Sequence, residues 1–404
     1  MDSDAVTRAR RSRRLGRAAG FTLVEMMVAL VIGALVVAAV FSIGGASSRH
    51  FQEQQRIGVT QRAVRMAMSR LTRDIQRAGY MHVPSNRSPF VRVCPTPALP
   101  REVPAVWLAN DDSDGNAALN AVQRGRNGVS ADRLRLIGNY ATSDQYLIDS
   151  VSAAGNVLHL QEDWLGFRRS FTTTRGGAAV ADTQRFDDTF RAGRMLHLET
   201  AFGWHIFARV VNATIDSTGN TATVTISPGL GADNPCLSGL GRGTLVTPLS
   251  EVQYSIQLAP ADSNLAARSN EVVGPNTQLV REELDMSNGA VLSRRVVLEY
   301  AVDFNVDAYV NTTVALGLPP NIVPVQGPAT QNAIQATPWQ VRSLLVSLAA
   351  RTPEQDPRFP WTYGGGRPAT MPLNRFQVFP DRDGAARVRQ LVTEVQTPNL
   401  LPGT

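Results

Sequence analysis

The sequence predicts an α+β protein in which one long N-terminal helix packs on a large β-rich, mainly antiparallel domain. Three observations predict this architecture. An apolar run of membrane-spanning length begins near residue 21, a helical stripe of apolar residues continues it, and the rest of the chain alternates β-like runs with proline and glycine. With 404 residues, of which 43% are hydrophobic, the chain can bury a substantial core.

The first element is the apolar run from residue 21 to residue 45, which follows a basic segment. Residues 1–20 hold six arginines and two aspartates, so they carry +4 of the total net charge of +6 and leave +2 to the rest. That near-neutral remainder does not indicate a nucleic-acid partner. The run exceeds the ~7–15 apolar residues of a secretory signal peptide and is followed by only a weak cleavage signal. Its length fits a transmembrane anchor whose N-terminus the arginines hold in the cytoplasm.

Glu25 does not fit either a signal peptide or a plain anchor. It lies five residues into the apolar run. A carboxylate in hydrocarbon costs at least ~2.5 kcal/mol on insertion scales, and a segment selected only to anchor a protein would avoid that cost. Glu25 therefore has either a partner or another task.

The stretch "GFTLVEMMVAL", Gly20–Leu30, resembles the processing site of type IV prepilins and pseudopilins. The resemblance implies that residues 1–20 are a leader peptide, which a prepilin peptidase removes between Gly20 and Phe21. It implies that the new N-terminal amine, on Phe21, is then methylated. It also implies that Glu25 meets the amine of a neighbouring subunit as helices pack into a filament. Because the two charges neutralise each other, such a pair lowers the cost of both and marks the register of assembly.

The helix continues beyond the membrane-length segment. Residues 21–46 are predicted to form its transmembrane, filament-core half, and residues 47–80 its amphipathic half. The stripe consists of Ile57, Val64, Met68, Leu71 and Ile75. The polar residues predicted to form a solvated face are Arg56, Arg62, Arg65, Arg70, Arg73, Asp74 and Arg77. Gly79 is a plausible stop, which predicts one helix over Phe21–Ala78. The alternative is a coiled-coil stalk, but a stripe of under three heptads favours packing on a sheet.

Residues 81–404 are predicted to form a β-rich periplasmic domain. Predicted strands lie at Glu251–Leu258, Arg295–Val310 (long or broken), Val341–Ala350 and Arg387–Val395. Within the second of these, Val302, Phe304 and Val306 are predicted to share one side. Predicted loops lie at Thr96–Pro104, Asp111–Asn120, Pro319–Pro338 and Thr352–Pro372.

The two cysteines, Cys94 and Cys236, are too far apart in sequence for a CxxC motif. A pair in a large chain fits one structural disulfide in an oxidising compartment. The alternative is two unrelated buried thiols.

The sequence does not predict an enzyme or a bound cofactor. It contains no HExxH motif, no Walker A sequence and no GxSxG nucleophile elbow. His197 and Glu199 lie on one face of an apparent strand with His205 beyond, but partly buried strand histidines are commoner than metal ligands. A weak calcium-loop pattern places Asn110, Asp112 and Asp114 at positions one, three and five. The twelfth position holds alanine where a glutamate is needed, which favours a solvated turn.

Four further stretches are similar to the minor pilins of the PilW type. They are "GRMLHLETAFGWHIFARVV" (Gly193–Val211), "LEYAVDFNVDAYV" (Leu298–Val310), "TPWQVRSLLVSLAARTPE" (Thr337–Glu354) and "RVRQLVTEVQTPNL" (Arg387–Leu400). This resemblance implies a type IV pilin-like fold and a role in priming or capping pilus assembly. It departs from the family pattern after Ala78-Gly79-Tyr80, where the family often places a cysteine soon after the helix end, whereas Cys94 lies farther on.

The resemblance also implies location and partners. The precursor would be a single-pass inner-membrane protein with a cytoplasmic N-terminus, later incorporated into the pilus. The implied partners are the prepilin peptidase, other minor pilins, the major pilin, the inner-membrane assembly platform and a tip adhesin of the PilY type. Two alternatives stay open: a J-type minor pseudopilin of a type II secretion system, and a pilus-tip adhesin or DNA-uptake subunit.

Overall fold

The structure, a computed structural model, describes residues 21–85, 88–89, 91–94, 103–111, 125–175, 178–216, 221–230, 239–259, 276–313, 319–364, 366–368 and 370–400. Its helices are α1 (Leu23–Gln76), α2 (Gly125–Asn127), α3 (Leu165–Phe171), α4 (Thr183–Thr189) and α5 (Pro328–Ala336), with 3-10 turns at Pro338–Gln340 and Pro398–Leu400. Its strands are β1 (Arg92–Val93), β2 (Val106–Ala109), β3 (Arg133–Gly138), β4 (Tyr146–Val151), β5 (Val157–Leu160), β6 (Thr172–Arg175), β7 (Ala178–Ala181), β8 (Met195–Glu199), β9 (Trp204–Ile215), β10 (Ala222–Ser227), β11 (Leu245–Leu258), β12 (Thr277–Leu284), β13 (Val291–Glu299), β14 (Ala301–Asn311), β15 (Ile322–Val325), β16 (Val341–Arg351), β17 (Arg375–Phe376) and β18 (Ala386–Gln396).

Two sheets make up most of the β structure in these ranges. The larger sheet follows the order β1-β9-β10-β5-β4-β11-β12-β13, with β2, β3 and β8 pairing beside this path. The smaller sheet has the order β15-β14-β16-β18-β17, and β6 and β7 form a separate hairpin. Except for the parallel pair of β1 and β9, the described pairings are antiparallel. The predicted combination of a long N-terminal helix and a β-rich, mostly antiparallel domain is confirmed.

The chain divides into two compact units, Met1–Arg56 and Ile57–Thr404, and α1 runs through both. In the first unit, the apolar side chains of α1 are exposed to solvent. This helix is long and apolar enough to cross a membrane. The predicted boundaries at residues 20, 46 and 80 stay predictions.

The second half of α1 packs into the main core of the second unit. Of the predicted stripe, Ile57 is half-buried and the other four residues are buried. The four buried residues share one cluster with Val252 and Tyr254 of the larger sheet and with Phe304 and Leu344 of the smaller sheet. Each fully buried aliphatic side chain contributes about 1.5–3 kcal/mol, so this stripe is a major attachment of the helix to both sheets.

A polar contact fixes the helix within this apolar packing. Asp74 accepts two hydrogen bonds of 2.7 Å at Oδ2, one from the Arg281 guanidinium and one from the Tyr254 hydroxyl. Arg77 donates to the backbone carbonyls of Asn139 and Thr142 at 2.6 and 2.9 Å. The prediction that Asp74 and Arg77 belong to a solvated face is therefore wrong, because both side chains reach polar groups of the β domain.

The C-terminal end of α1 is closed by a segment far away in the sequence. Gly79 has φ of 74°, and a Cβ there would lie 2.9 Å from the carbonyl oxygen of Asn399. The Asn399 amide donates to the carbonyl of Gln76 at 2.7 Å, a hydrogen bond that spans 323 positions of sequence. Leu400 is fully buried in the same core as the helix stripe. Gly79 therefore ends the helix as predicted. Its positive φ and the close approach of the Asn399 carbonyl both favour a residue without a side chain.

Most of the predicted strands are present. One of them is divided into two strands, and one of its residues packs on a different side from the predicted one. The stretch predicted as a long or broken strand is two strands, β13 and β14, which turn at Tyr300 with φ of 55° and enter different sheets. The pairing of β14 with β16 shifts register between Ala301 and Asp303. Because of this irregularity Val302 packs in a different cluster from Phe304, so the prediction that they share a side is wrong.

The predicted loop Pro319–Pro338 is also wrong, because it contains β15 and α5. Gly327 precedes α5 with φ of 57°, and Pro328 is its first residue, where a missing N–H costs nothing. The short helix buries Ile334 in the main core. Most of the predicted loops Thr96–Pro104 and Asp111–Asn120 lies outside the described residues.

We expect Asp74→Ala to lower the free energy of unfolding by about 3–5 kcal/mol, because it leaves the Arg281 charge and the Tyr254 hydroxyl without their acceptor. The measurement is urea unfolding of the detergent-solubilised chain, followed by near-ultraviolet circular dichroism. Arg73→Ala changes an exposed neighbour on the same turn and should stay within about 0.5 kcal/mol. Equal effects of the two substitutions would contradict the assigned role of Asp74.

Candidate functional site

The first turn of α1 contains the conspicuous residues of the N-terminal motif. Thr22 precedes the helix, and its carbonyl accepts the first intrahelical hydrogen bond from the N–H of Met26 at 3.1 Å. Glu25 is the third helical residue, and its Oε2 accepts from the Thr22 N–H at 2.9 Å and from the Thr22 hydroxyl at 3.0 Å. The Glu25 N–H donates to the Thr22 hydroxyl oxygen at 3.3 Å.

This reciprocal arrangement is a capping box. A helix begins with N–H groups that have no partner within the helix, and here Thr22 and Glu25 each satisfy one for the other. A carboxylate at this end is also favoured by the helix dipole. In the described part of the chain the second carboxylate oxygen, Oε1, makes no hydrogen bond. Glu25 is thus held in one orientation with one oxygen open.

The surroundings of Glu25 are apolar and exposed. Phe21 is 79% exposed and Leu23 is 76% exposed, and the exposed apolar surface continues along the helix to Phe41 and Ile43. The first turn therefore offers one oriented carboxylate oxygen on a helical segment that is exposed in the part of the chain that the structure describes. Such a site can accept a cation or an N–H donor. Gly20 and the leader lie outside the described residues.

The role of Thr22 was not recognised from the sequence. The signal was present, because a threonine followed three residues later by glutamate and an apolar run is the pattern of a capping box. The prepilin resemblance accounts for the acid alone and assigns no role to Thr22.

The cysteines form a second predicted site. Cys94 is fully buried and disulfide-bonded, in a cluster of apolar residues of the larger sheet. Its N–H donates to the carbonyl of His205 at 2.8 Å. Cys236 lies outside the described residues, so the pairing of the two cysteines stays a prediction.

Three histidines meet near the end of α1. His197 Nε2 and His205 Nδ1 lie 2.8 Å apart, and His197 Nδ1 lies 3.1 Å from the carbonyl oxygen of Met81. A carbonyl only accepts, so Nδ1 of His197 carries the proton and its Nε2 accepts from His205. By the same reasoning His82 donates from Nε2 to the carbonyl of Val103 at 3.1 Å. His197 therefore uses both ring nitrogens in hydrogen bonds.

The environment of these rings opposes their protonation. Burial lowers the pKa of His82 to about 4, and burial lowers the pKa of His197 well below its usual value. Burial also lowers the pKa of His205, while the Glu199 charge acts in the opposite direction. No group of three or more histidine, cysteine or acidic side chains within the described ranges is arranged to hold a metal ion.

Of the three candidate residues of the predicted calcium loop, the structure describes only Asn110. The N–H of Asn110 donates to the Gln331 side chain at 2.7 Å, which ties this residue to α5. Asp112 and Asp114 lie outside the described residues, so the choice between a calcium loop and a solvated turn stays a prediction.

One comparison with known proteins bears on the first turn of α1. A family model described as the prokaryotic N-terminal methylation motif matches residues 15–41. No curated protein and no solved structure gives a significant match. The chain therefore carries a type IV pilin-like prepilin signal, which belongs to structural proteins rather than enzymes. Together with the apolar part of α1, the motif indicates a membrane-anchored, single-pass protein.

For the cysteines, we expect thiol labelling of the denatured, unreduced protein to find no free thiol. A bridge between Cys94 and Cys236 would close a loop of more than 140 residues and contribute roughly 4–5 kcal/mol in the chain-entropy model. Labelling after reduction is the control and should modify both residues. Two labelled cysteines before reduction would refute the bridge.

For the histidines, we expect the free energy of unfolding of His82→Gln to fall less steeply below pH 6.5 than that of the wild-type chain. A histidine with a lowered pKa contributes stability that is present above its unfolded value of about 6.5 and is lost as the pH falls through about 4. The lost contribution is about 2–3 kcal/mol, and glutamine retains a donor for the carbonyl of Val103. The measurement is the free energy of unfolding between pH 4 and 8.

Asp303→Asn should change the pH dependence of the free energy of unfolding in the opposite direction. Burial raises the pKa of Asp303 to about 7, and its carboxylate accepts from the Asn305 amide at 2.8 Å. A raised carboxyl pKa favours folding below about pH 4, and this advantage disappears as the pH rises through 7. Asp303→Asn should therefore stabilise the protein at pH 8, by up to about 4 kcal/mol, and change little at pH 4. Parallel pH profiles for both variants would contradict the assignments.

Proposed function

We propose that this chain is a minor pilin of the PilW type, which docks through α1 into a type IV pilus and helps prime or cap its assembly. The coarser statement, a type IV pilin-like or pseudopilin protein, follows from the methylation motif. The finer one is supported by the four stretches of PilW-like sequence, all of which contain strands of the β domain. A J-type pseudopilin shares the motif, and the neighbouring genes would separate the two: other minor pilins or a secretion operon.

The observation that carries the proposal is the orientation of Glu25 at the start of an uninterrupted apolar helix. Thr22 occupies one carboxylate oxygen and leaves the other open. The prepilin peptidase would cut between Gly20 and Phe21, and the methylated amine of Phe21 would then be a cation in an apolar setting. Each subunit would thus present one anion and one cation, four residues apart in sequence, for pairing with its neighbours.

The capping box gives this docking a physical basis. A flexible carboxylate would lose rotamer freedom on pairing, whereas the one held by Thr22 has already lost it. In an environment without water, the open Oε1 and an ammonium group of a neighbour neutralise each other. A helix displaced by one turn would leave both charges unpaired, so the pair would select one register.

The rest of the proposal concerns topology and partners. The six arginines of the leader would keep the N-terminus cytoplasmic and place the β domain in the periplasm. There the domain would contact other minor pilins and a tip adhesin of the PilY type, while α1 contacts the major pilin and the assembly platform. No nucleic-acid partner is proposed.

We expect Gly20→Arg to block processing, because the peptidase site requires a small residue before Phe21. The result should be a precursor longer by 20 residues, detected by intact mass. Gly16→Arg, within the leader but away from the site, is the matched control and should be processed normally. A wild-type mature N-terminus at any residue other than Phe21 would refute the proposed site.

We expect Glu25→Val and Glu25→Gln both to remove the protein from sheared filaments while leaving its level in the inner membrane unchanged. Glutamine can still complete a capping box but carries no charge, so it separates the two roles of Glu25. Losing one partner of a buried ion pair costs about 3–5 kcal/mol, enough to reduce docking more than a hundredfold. The measurement is immunoblotting of membrane and sheared-pilus fractions.

Thr22→Val is the matched control, since it removes the capping hydroxyl but retains the carboxylate and the backbone donor. It should reduce incorporation only modestly, because a lost cap costs about 0.5–2 kcal/mol. Wild-type incorporation of Glu25→Gln would show that the cap alone matters and that Glu25 is not the docking charge.

A further inference from the structure

The exposed side of α1 between residues 57 and 76 carries arginines and no carboxylate. Arg62, Arg65 and Arg73 are exposed, and we call these three the arginine ridge. The acid in this stretch, Asp74, is bound to Arg281 on the opposite side. In the described part of the chain no carboxylate lies within ion-pair distance of the ridge, and the contact there is a 3.4 Å hydrogen bond from Arg73 to the carbonyl of Ser69 in the same helix.

The spacing of these arginines works against the helix itself. Arg62 and Arg65 are three residues apart, and Arg73 is three residues from Arg70 and four from Arg77. Side chains at these separations are neighbours on a helix surface, and like charges there are destabilising. An acid at one of these positions would relieve the repulsion, but the sequence has none. The arrangement is mildly unfavourable for a solitary helix, and an outside group that supplies negative charge would relieve the repulsion.

Apolar side chains accompany the arginines. Val59 is 59% exposed and Met66 is 69% exposed, on the same side of the helix as the ridge. They are seven residues apart, a spacing that presents apolar side chains along one line to a second helix. Methionine is adaptable at binding surfaces because its side chain is flexible and polarisable.

We propose that the arginine ridge, with Val59 and Met66, is a docking surface for a carboxylate-bearing helix of another subunit in the assembly. This rests on the proposed function. Arginine forms bidentate hydrogen bonds with carboxylates, and arginine and methionine are both enriched at interfaces. An anionic lipid headgroup would satisfy the charges, but the seven-residue spacing of Val59 and Met66 matches the repeat by which a second helix packs. A helix with aspartate or glutamate beside apolar residues satisfies both.

The test places the photoreactive residue p-benzoylphenylalanine at Met66 of the full-length chain, in cells that assemble the filament. We expect a crosslink to a helical segment of another subunit that contains Asp or Glu, mapped by mass spectrometry. Arg62→Glu with Arg65→Glu should lower the crosslink yield about tenfold or more, since two ion pairs are replaced by repulsion. Arg62→Lys with Arg65→Lys keeps the charge and should retain most of the yield.

Two comparisons make the result specific. Arg168→Glu with Arg185→Glu reverses two exposed arginines on α3 and α4 and should leave the yield unchanged. Changing a crosslinked carboxylate of the partner to arginine should restore the yield of the Arg62→Glu, Arg65→Glu variant. Crosslinks only to lipid, a partner segment without acids, or an unchanged yield after charge reversal would each overturn the proposal.

The same strains separate this proposal from the proposed function. Normal cleavage after Gly20 and Glu25-dependent incorporation, together with wild-type crosslinking of the reversed-charge ridge, would remove the ridge proposal alone. Absence of cleavage in the wild-type chain would remove the proposed function first.

Discussion

The hydrogen bonds of Asp74 are the constraint on which the arrangement of the second unit depends. An apolar stripe alone tolerates sliding, because a helix displaced by one turn still buries aliphatic side chains. Asp74 removes that freedom, since only one position brings its carboxylate to both Arg281 and Tyr254. The strand that carries Tyr254, β11, pairs with β3, β4, β8 and β12, so the position of the helix is tied to the centre of the larger sheet.

Features that depend on local periodicity could be predicted from the sequence. The stripe on α1 is visible as a helical repeat. Its burial follows because an amphipathic helix packs its apolar side against the core. The strand containing Val252, Tyr254 and Ile256 is visible for the same reason, and its apolar side enters the main core. In the candidate site, the position of Glu25 follows from its contrast with the apolar residues around it.

Features that depend on distant partners could not be predicted. Asp74 and Arg77 resemble their solvated neighbours in sequence, and only the positions of Arg281 and Asn139 show that they are half-buried contacts. Val302 follows the alternation of its strand, but an irregular pairing with β16 turns it to another cluster. α5 is not predicted because Gly327 and the prolines around the helix suggest a loop, although Pro328 is suited to begin a helix.

The hydrogen bond from Asn399 to Gln76 has a consequence for how the protein matures. A chain that crosses a membrane from its N-terminal side delivers α1 long before residues 398–400 arrive. Until then the carbonyl of Gln76 lacks its amide donor, and the core lacks Leu400. Closure of the helix end is therefore among the last events of folding, and a nascent chain arrested before this segment leaves an open apolar site beside Gly79. The last turn of α1 opens more readily in such a chain, because it lacks both this hydrogen bond and the cover of Leu400.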